Sequence, residues 1–174
     1  IPVDSRYEVF SREDERNNRN ELMRYGFRVN AVGINDGGTT GAQIVMRTIP
    51  NDPPTVDDIG LDGGFVLDNC TPENGIVLVA GKTGSGKSTT LYAILDKIIE
   101  MGGRNVVTLE DPIEIVKEHC LQIEMNESLG IDYYNSLKQI LRHDPDVIMI
   151  GEIRDEKTAK LAITCALTGH LVLS

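Results

Sequence analysis

The residues best suited to chemistry lie in the segment GKTGSGKS, which matches the pattern G-x-x-x-x-G-K-[ST] in full. Glycines in such a loop let the backbone wrap a polyphosphate, and the N-terminus of a following helix favours negative charge. Lys87 is expected to reach the β- and γ-phosphates, and Ser88 to ligate Mg²⁺. The predicted ATP-binding residues are Gly81, Lys82, Thr83, Gly84, Ser85, Gly86, Lys87, Ser88 and Thr89.

Acidic residues lie where two predicted strands end, and hydrolysis of a bound polyphosphate needs acids that hold the metal and orient water. Glu110 and Asp111 follow one apolar run, and Glu152 follows another after Gly151. Ligands of open α/β sheets bind at the carboxyl ends of the strands. We expect Glu110 to position the attacking water. We expect Glu152 to hold the metal, partly through water because Gly151 offers no side chain.

Around these residues, short apolar runs alternate with helical segments. Strands are predicted at GIVLVAG, which should be fully buried, and at NVVTLEDP, DVIMIGE and HLVLS. Helices are predicted at KSTTLYAILDKIIEMGG, IDYYNSLKQILRH and DEKTAKLAITCALTG. Asp132 should cap the second helix at its N-terminus, and Gly169 the third at its C-terminus. The alternation predicts an α/β core with a parallel sheet flanked by helices, cut short after HLVLS.

The chain before the phosphate loop has a different character. Charges are mixed without apolar periodicity in SREDERNNRNE, so residues 1–24 are predicted to be a solvated loop or a poorly ordered segment. RYGFRVNAV and GAQIVMRTI alternate with near period 2 around a turn-rich segment, which predicts a β-hairpin. Proline and aspartate concentrate in residues 49–58, which predicts a linker. The expected domains are residues 1–48, the linker at 49–58, and the core at 59–174.

Composition argues against several other classes of protein. The 174 residues carry a net charge of −10, so we expect no direct nucleic-acid partner, because phosphate-backbone binding depends on clustered Lys and Arg. Cys70, Cys120 and Cys165 lack the spacing of a zinc site or a disulfide framework. No apolar run reaches the roughly 18 residues that span a bilayer, and no signal region opens the chain. The expected location is the cytoplasm.

Four ordered blocks between residues 25 and 174 match one family. They are FRVN with RTIP, GKTGSGKSTTLYAIL, TLEDPIE, and LRHDPDVIMIGEIRDEKTAKLAITCALTGH. This pattern resembles the hexameric secretion ATPases, the motors of type II secretion, type IV pili and type IV secretion. The resemblance implies a RecA-like P-loop ATPase core, truncated at its C-terminus and preceded by part of a small α+β domain. In that family ATP lies at the seam between domains and subunits.

The resemblance also implies roles for single residues. Residues 81–89 resemble the Walker A motif, Glu110 the acid of the aspartate box, and Glu152 the Walker B glutamate. His170 would begin the histidine box, although a histidine after a helix C-terminus can instead complement the helix dipole. The implied catalytic residues are Glu110, Glu152, Lys87 and His170, and the implied Mg²⁺ ligands are Ser88 and Glu152.

Arg28 in FRVN and Arg47 in MRTIP resemble arginines that the N-terminal domain presents to nucleotide phosphates. Both lie on the predicted hairpin, so their guanidinium groups could emerge near one another and pair bidentately with phosphate oxygens. The alternative is that both make surface salt bridges with the abundant acids. Arg154 and Asp155 are expected either to pair locally or to serve a contact between subunits.

The function implied by the resemblance is a Mg²⁺-dependent ATPase that releases ADP and phosphate. It would be a homo-hexameric ring motor at the cytoplasmic face of the bacterial inner membrane, powering protein secretion, pilus assembly or retraction, or conjugative transfer. Its partners would be inner-membrane platform or secretion-machine proteins, through which it associates with the membrane. Two alternatives stay open: a nucleotide-gated assembly module with little hydrolysis, and a RecA-like nucleic-acid translocase.

Two departures from the family pattern limit these expectations. Members of the retraction type carry REVG where this chain reads EMNE from Glu124, which weakens that subgroup. The histidine box is cut after Ser174, so the chain alone need not hydrolyse ATP.

Overall fold

The computed structural model describes residues 3–12, 22–49 and 53–174. The chain divides into two compact units, Ile1–Asp52 and Pro53–Ser174. The described part of the first unit is an antiparallel sheet. The second unit contains a parallel sheet with helices, which confirms the predicted α/β class.

Three strands form the antiparallel sheet, in the order β1–β2–β3. Their bounds are β1 Val3–Arg12, β2 Leu22–Asp36 and β3 Thr39–Ile49. β2 and β3 make the predicted hairpin. Their two-residue turn, Gly37 and Gly38, has positive φ at both positions, as the tight turns that match strand twist require.

The prediction of a solvated loop at residues 1–24 is wrong for the part that the structure describes. β1 pairs antiparallel with β2 along its whole length, from Val3 opposite Ala31 to Arg12 opposite Leu22. A signal was present, since apolar and aromatic residues recur at odd positions of VDSRYEV. The charged residues that follow this segment made the alternation hard to recognise. Residues 13–21 lie outside the described part of the chain.

Five parallel strands form the sheet of the second unit, in the order β4–β8–β7–β5–β6. Their bounds are β4 Gly75–Val77, β5 Val106–Glu110, β6 Leu121–Glu124, β7 Val147–Ile150 and β8 Leu171–Leu173. β5, β7 and β8 are buried along their whole lengths, as is typical of parallel strands covered on both faces. Because all five strands run the same way, their carboxyl ends lie together at one edge of the sheet, here called the carboxyl edge.

Four α-helices accompany this sheet within residues 53–174. Their bounds are α1 Gly63–Cys70, α2 Lys87–Met101, α3 Tyr133–Ile140 and α4 Glu156–Leu167. In three of them an aspartate side chain caps the N-terminus by accepting a backbone N–H: Asp62 for α1, Asp132 for α3 and Asp155 for α4. The N-cap of α2 is instead Gly86, and no side chain caps this helix. No helix in the described residues is long and apolar enough to cross a membrane.

The predicted strands and helices of the second unit are present, with local differences. The strand predicted at GIVLVAG was expected to be fully buried. Instead Ile76 in β4 is 39% exposed and Leu78, which follows β4, is 62% exposed, because β4 is an edge strand of the described sheet. The C-cap of α4 is Thr168 rather than Gly169, which follows it at φ +104°. The sequence patterns did not predict α1 and β6. Two glycines open α1 and lower its helix propensity, and β6 has only four residues.

Candidate active site

The phosphate loop connects β4 to α2 at the carboxyl edge. Gly84 and Gly86 adopt φ of +75° and +93°, left-handed conformations that glycine enters without strain. Gly86 is the N-cap of α2, so the positive end of the helix dipole faces the loop. Ser88 and Thr89 lie in the first turn of that helix.

Contacts within the loop hold Lys87 against it. Its Nζ donates to the carbonyl of Lys82 at 3.1 Å, and the Ser85 N–H donates to the same carbonyl at 3.2 Å. A Cβ at Gly81 would lie 2.5 Å from Ser85 Oγ, so a larger residue there would require the Ser85 side chain to move. The loop therefore presents an ammonium group beside backbone that can wrap a phosphate.

Glu110 ends β5 at the same edge, but its carboxyl group is buried. The residue is 4% exposed and accepts hydrogen bonds from three neutral groups. These are the Tyr92 hydroxyl from α2, the Thr108 hydroxyl, and Gln122 Nε2 of β6 at 3.0 Å. Burial, and then the charge of Glu110, raise the pKa of the Tyr92 phenol, so that phenol remains a donor. Such partners are what a buried carboxylate requires.

Glu152 lies just beyond β7 at the same edge, and its side chain is 46% exposed. Its carboxylate lies 2.5 Å from Arg154 Nη2, and the same nitrogen lies 3.4 Å from Asp111 Oδ2. The local pair expected between Arg154 and Asp155 is wrong, since Asp155 caps α4 instead. Ion pairs as exposed as that of Glu152 contribute little to stability. The Glu152 carboxylate can therefore exchange Arg154 for another cation at little cost.

Gly151, which directly precedes Glu152, has little room for a side chain on one side. Its N–H donates to the Leu109 carbonyl at 2.8 Å. A Cβ there would lie 3.2 Å from that carbonyl oxygen and 3.3 Å from the Tyr133 hydroxyl. Burial and the charges of Glu152 and Asp111 raise the pKa of Tyr133. The signal available in the sequence was Gly151, a glycine at a position where many P-loop enzymes carry an aspartate.

His170 is placed at the opposite edge of the sheet. It precedes β8, and its carbonyl accepts from the Gly75 N–H at 3.1 Å, where β4 begins. Its ring Nδ1 lies 3.0 Å from the Cys165 carbonyl in the last turn of α4. This contact matches the alternative in which the histidine complements a helix terminus. The structure does not bring His170 together with Lys87 and the acids.

Arg28 and Arg47 lie in the first unit, directly opposite one another on β2 and β3. Directly opposed residues of an antiparallel pair share one face of the sheet, and like charges there repel. Arg6 of β1 is opposite Arg28 in turn, so three arginine positions form one row. Arg47 is exposed and Arg28 partly buried.

Ser88 and Glu152 fit a magnesium ion that is held mainly by substrate. Mg²⁺ in nucleotide sites takes one or two protein oxygens, together with phosphate oxygens and waters. Both side chains are exposed, and both follow strands or loops at the carboxyl edge. Among the described residues, no group of three or more His, Cys, Asp or Glu could hold a metal by itself. The donor set suits Mg²⁺ delivered with a nucleotide.

Residues 20–174 match the family model described as type II/IV secretion system protein. The competence protein ComGA of Bacillus subtilis is 44% identical over 135 residues, covering 75% of this chain and 38% of that protein. The type IV pilus retractation ATPase PilT of Pseudomonas aeruginosa is 46% identical over 151 residues, covering 84% and 42%. The type II secretion system protein E of Aeromonas hydrophila is 36% identical over 179 residues, covering 100% and 36%.

Solved structures agree with these sequence relatives. The pilus retraction motor PilT with bound ADP matches with a TM-score of 0.79 and 34% identity, covering 99% of this chain and 46% of that chain. The Legionella pneumophila ATPase DotB matches with a TM-score of 0.77 and 35% identity, covering 99% and 47%. The predicted RecA-like P-loop ATPase fold is confirmed. The chain spans less than half the length of each of these proteins.

Proposed function

Because this chain belongs to the type II/IV secretion system protein family, we propose that it binds and hydrolyses ATP as part of a secretion, pilus or competence motor. The observation that carries the proposal is the complete phosphate loop, which holds Lys87 at the open N-terminus of α2. The solved PilT structure contains ADP, which supports a nucleotide as the ligand. The resemblance to the secretion ATPases is thus confirmed at the level of the family.

ATP is proposed to place its phosphates against residues 81–89. Backbone N–H groups of the loop and the Lys87 ammonium would bind the phosphate oxygens. Ser88 and Glu152 would hold Mg²⁺, which when bound neutralises charge that develops on the transferred phosphoryl group. The products would be ADP and phosphate.

Glu152 is a better candidate than Glu110 for the residue that orients the attacking water. A group that orients water must be reachable by water and must have a free acceptor oxygen. Glu152 is about half exposed, whereas Glu110 is buried and accepts from three donors. This proposal differs from the role expected for Glu110, which stays an untested prediction. We leave His170 out of the proposed site because it lies at the other edge of the sheet.

A ring assembly is the further part of the proposal. Residues 1–48 would form part of a domain joined by a linker at 49–58 to the core at 59–174. In a homo-hexamer that domain would bring Arg28 and Arg47, which lie opposite one another on neighbouring strands, to nucleotide phosphates. The ring would work at the cytoplasmic face of the inner membrane, bound to secretion-machine proteins. Its task would be secretion, pilus movement or conjugative transfer.

The test is ATP binding and phosphate release by Lys87→Ala. Loss of a charge-assisted contact costs about 1.5–3 kcal/mol, so we expect ATP affinity to fall about 10- to 150-fold. Lys97→Ala is the matched control, since Lys97 lies on the same helix and pairs with the exposed Glu100. Calorimetry that gives equal affinity for Lys87→Ala and wild type would refute the site. Wild-type protein that binds ATP without releasing phosphate would favour the assembly module instead.

A further inference from the structure

Arg154 connects two acidic residues that follow neighbouring strands at the carboxyl edge. β5 and β7 are adjacent, and Leu109 lies opposite Ile150. Continuing this register by two positions places Asp111 beside Glu152, and two carboxylates side by side repel one another. Arg154 Nη2 lies 2.5 Å from Glu152 Oε1 and 3.4 Å from Asp111 Oδ2. One guanidinium group therefore reduces the repulsion between both acids.

The local sequence turns this guanidinium group toward the acids. Glu152 and Arg154 are exposed, whereas Ile153 between them is partly buried and packs against the hydrophobic core. Alternate side chains of an extended segment point the same way, so the burial of Ile153 turns both neighbours outward. Asp155 does not compete for Arg154, because its carboxylate accepts from the N–H and the hydroxyl of Thr158.

The ion pairs of Arg154 contribute little to the stability of the fold. The side chains of Arg154, Glu152 and Asp111 are 56%, 46% and 39% exposed, and water screens pairs of this kind. The pair that joins Lys117 to Asp96 of α2 is different, since these side chains are only 12% and 30% exposed. Breaking a pair that is largely buried is costly. Arg154, by contrast, can leave Glu152 at little cost.

The Glu152 carboxylate is also a proposed ligand of Mg²⁺, directly or through water. While it accepts from Arg154, it presents less negative charge to a second cation, and the guanidinium group repels that cation. Arg154 and Mg²⁺ therefore compete for Glu152. Asp111 lies 3.4 Å from the same nitrogen of Arg154, so Arg154 keeps an ion-pair partner when it leaves Glu152.

We propose that Arg154 is a counter-ion built into the site, which holds the Glu152 carboxylate in the nucleotide-free protein and releases it to the Mg²⁺ that binds with a nucleotide. Arg154 is thus a positioning residue for Glu152. It lowers the affinity of the empty site for a metal ion, so the metal binds well only together with the negative charge of a nucleotide. The inference rests on the proposed function, because the competing ion is the Mg²⁺ of that same site.

The first test measures metal binding without nucleotide. Mn²⁺ is a paramagnetic substitute for Mg²⁺ that broadens the NMR signals of nearby amides. Arg154→Met removes a unit charge beside the ligand carboxylate, which strengthens binding of a divalent ion roughly 10-fold even in water. We therefore expect the Mn²⁺ concentration that half-broadens the amides of residues 151–154 to fall by about that factor. Equal Mn²⁺ affinity in Arg154→Met and wild type overturns the proposal.

Two further variants separate the charge from its surroundings. Arg154→Lys keeps the positive charge and should stay close to the wild-type Mn²⁺ affinity. Lys97→Met is the matched control, because it removes a positive charge from an exposed pair with Glu100 in the second half of α2. It should leave the broadening of residues 151–154 unchanged. A gain for Lys97→Met as large as that for Arg154→Met would assign the effect to net charge and overturn the proposal.

Glu152→Gln shows whether Arg154 acts through this carboxylate. In that background neither cation has the carboxylate to compete for, so Arg154→Met should increase Mn²⁺ affinity much less than it does in wild type. The same gain in both backgrounds would overturn the proposal.

Nucleotide binding gives the second test. Calorimetry yields the ratio of ADP affinities with and without Mg²⁺, which we expect to be about 10-fold larger in Arg154→Met than in wild type or Lys97→Met. An unchanged ratio contradicts competition between Arg154 and Mg²⁺. If the wild-type protein binds no nucleotide, the proposed function fails, and the Mn²⁺ titration alone then decides whether Arg154 competes with a metal ion for Glu152.

Discussion

Replacing Gly151 with alanine is expected to destabilise the protein by about 1–2 kcal/mol. The new Cβ would lie 3.2 Å from the Leu109 carbonyl oxygen and 3.3 Å from the Tyr133 hydroxyl, each a few tenths of an ångström too close. The Leu109 carbonyl cannot retreat easily, because it belongs to a fully buried strand and accepts the Gly151 N–H at 2.8 Å. Overpacking of this kind costs about 1–3 kcal/mol. Reduced freedom of the unfolded chain offsets about 0.4–1 kcal/mol, since Gly151 has no positive φ.

A second substitution tests which contact is responsible. Tyr133→Phe removes the hydroxyl and opens one side of the space, while the Leu109 contact stays. Gly151→Ala should therefore cost less in the Tyr133→Phe background, with a coupling free energy of about 0.5–1 kcal/mol. Gly151→Asp should cost more than Gly151→Ala in either background, because a carboxylate needs still more room.

The assay is urea unfolding followed by circular dichroism, with linear extrapolation to water. Gly63→Ala is the matched control, since a Cβ there would make only ordinary contacts of 3.7 and 3.9 Å. Its free energy of unfolding should equal or exceed that of wild type. The steric explanation would be refuted if Gly151→Ala were as stable as Gly63→Ala. It would also be refuted if the free-energy changes of Gly151→Ala and Tyr133→Phe were strictly additive.

The other predictions concern the arginine row and one thiol. If the proposed ring forms, Arg28→Ala and Arg47→Ala should each lower its ATP hydrolysis rate, because each would remove a proposed phosphate partner; normal rates with normal assembly in both variants would contradict this. Burial, and then the charge of Glu110, raise the pKa of Cys120 to about 11. Alkylation at pH 8 should therefore be about 100-fold slower than for a free thiol and should rise with pH, as mass spectrometry can follow. Alkylation at the free-thiol rate would show that Cys120 is not shielded as described.

Local patterns predicted the phosphate loop and the elements around it, because that motif is contiguous in sequence. The difference in role proposed for Glu110 and Glu152 could not be predicted from local sequence patterns. Both follow apolar strands, and what distinguishes them is burial. The burial of Glu110 depends on Tyr92 and Gln122, which are 18 and 12 positions away along the chain. Only the fold brings those donors to one carboxyl group.

The position of His170 could have been deduced from the sequence. The acids follow their strands, whereas His170 precedes β8. In a parallel sheet, residues before and after strands lie at opposite edges, so predicted strand direction alone separates them. Edge strands were harder. β1 lies beside a charged run, and β6 is short, so neither has the continuous apolar run that identified β5 and β7.

The N-termini of the four helices in residues 53–174 differ in one respect that bears on ligand choice. Aspartate carboxylates already occupy the ends of α1, α3 and α4, so those helices repel a further anion. The N-cap of α2 is Gly86, which has no side chain to accept from the first N–H groups of the helix. These N–H groups can therefore donate to a ligand. A phosphate that binds there would act as the cap of α2, so nucleotide binding would stabilise the folded protein through thermodynamic linkage. Tm should then rise with nucleotide concentration as binding linkage requires.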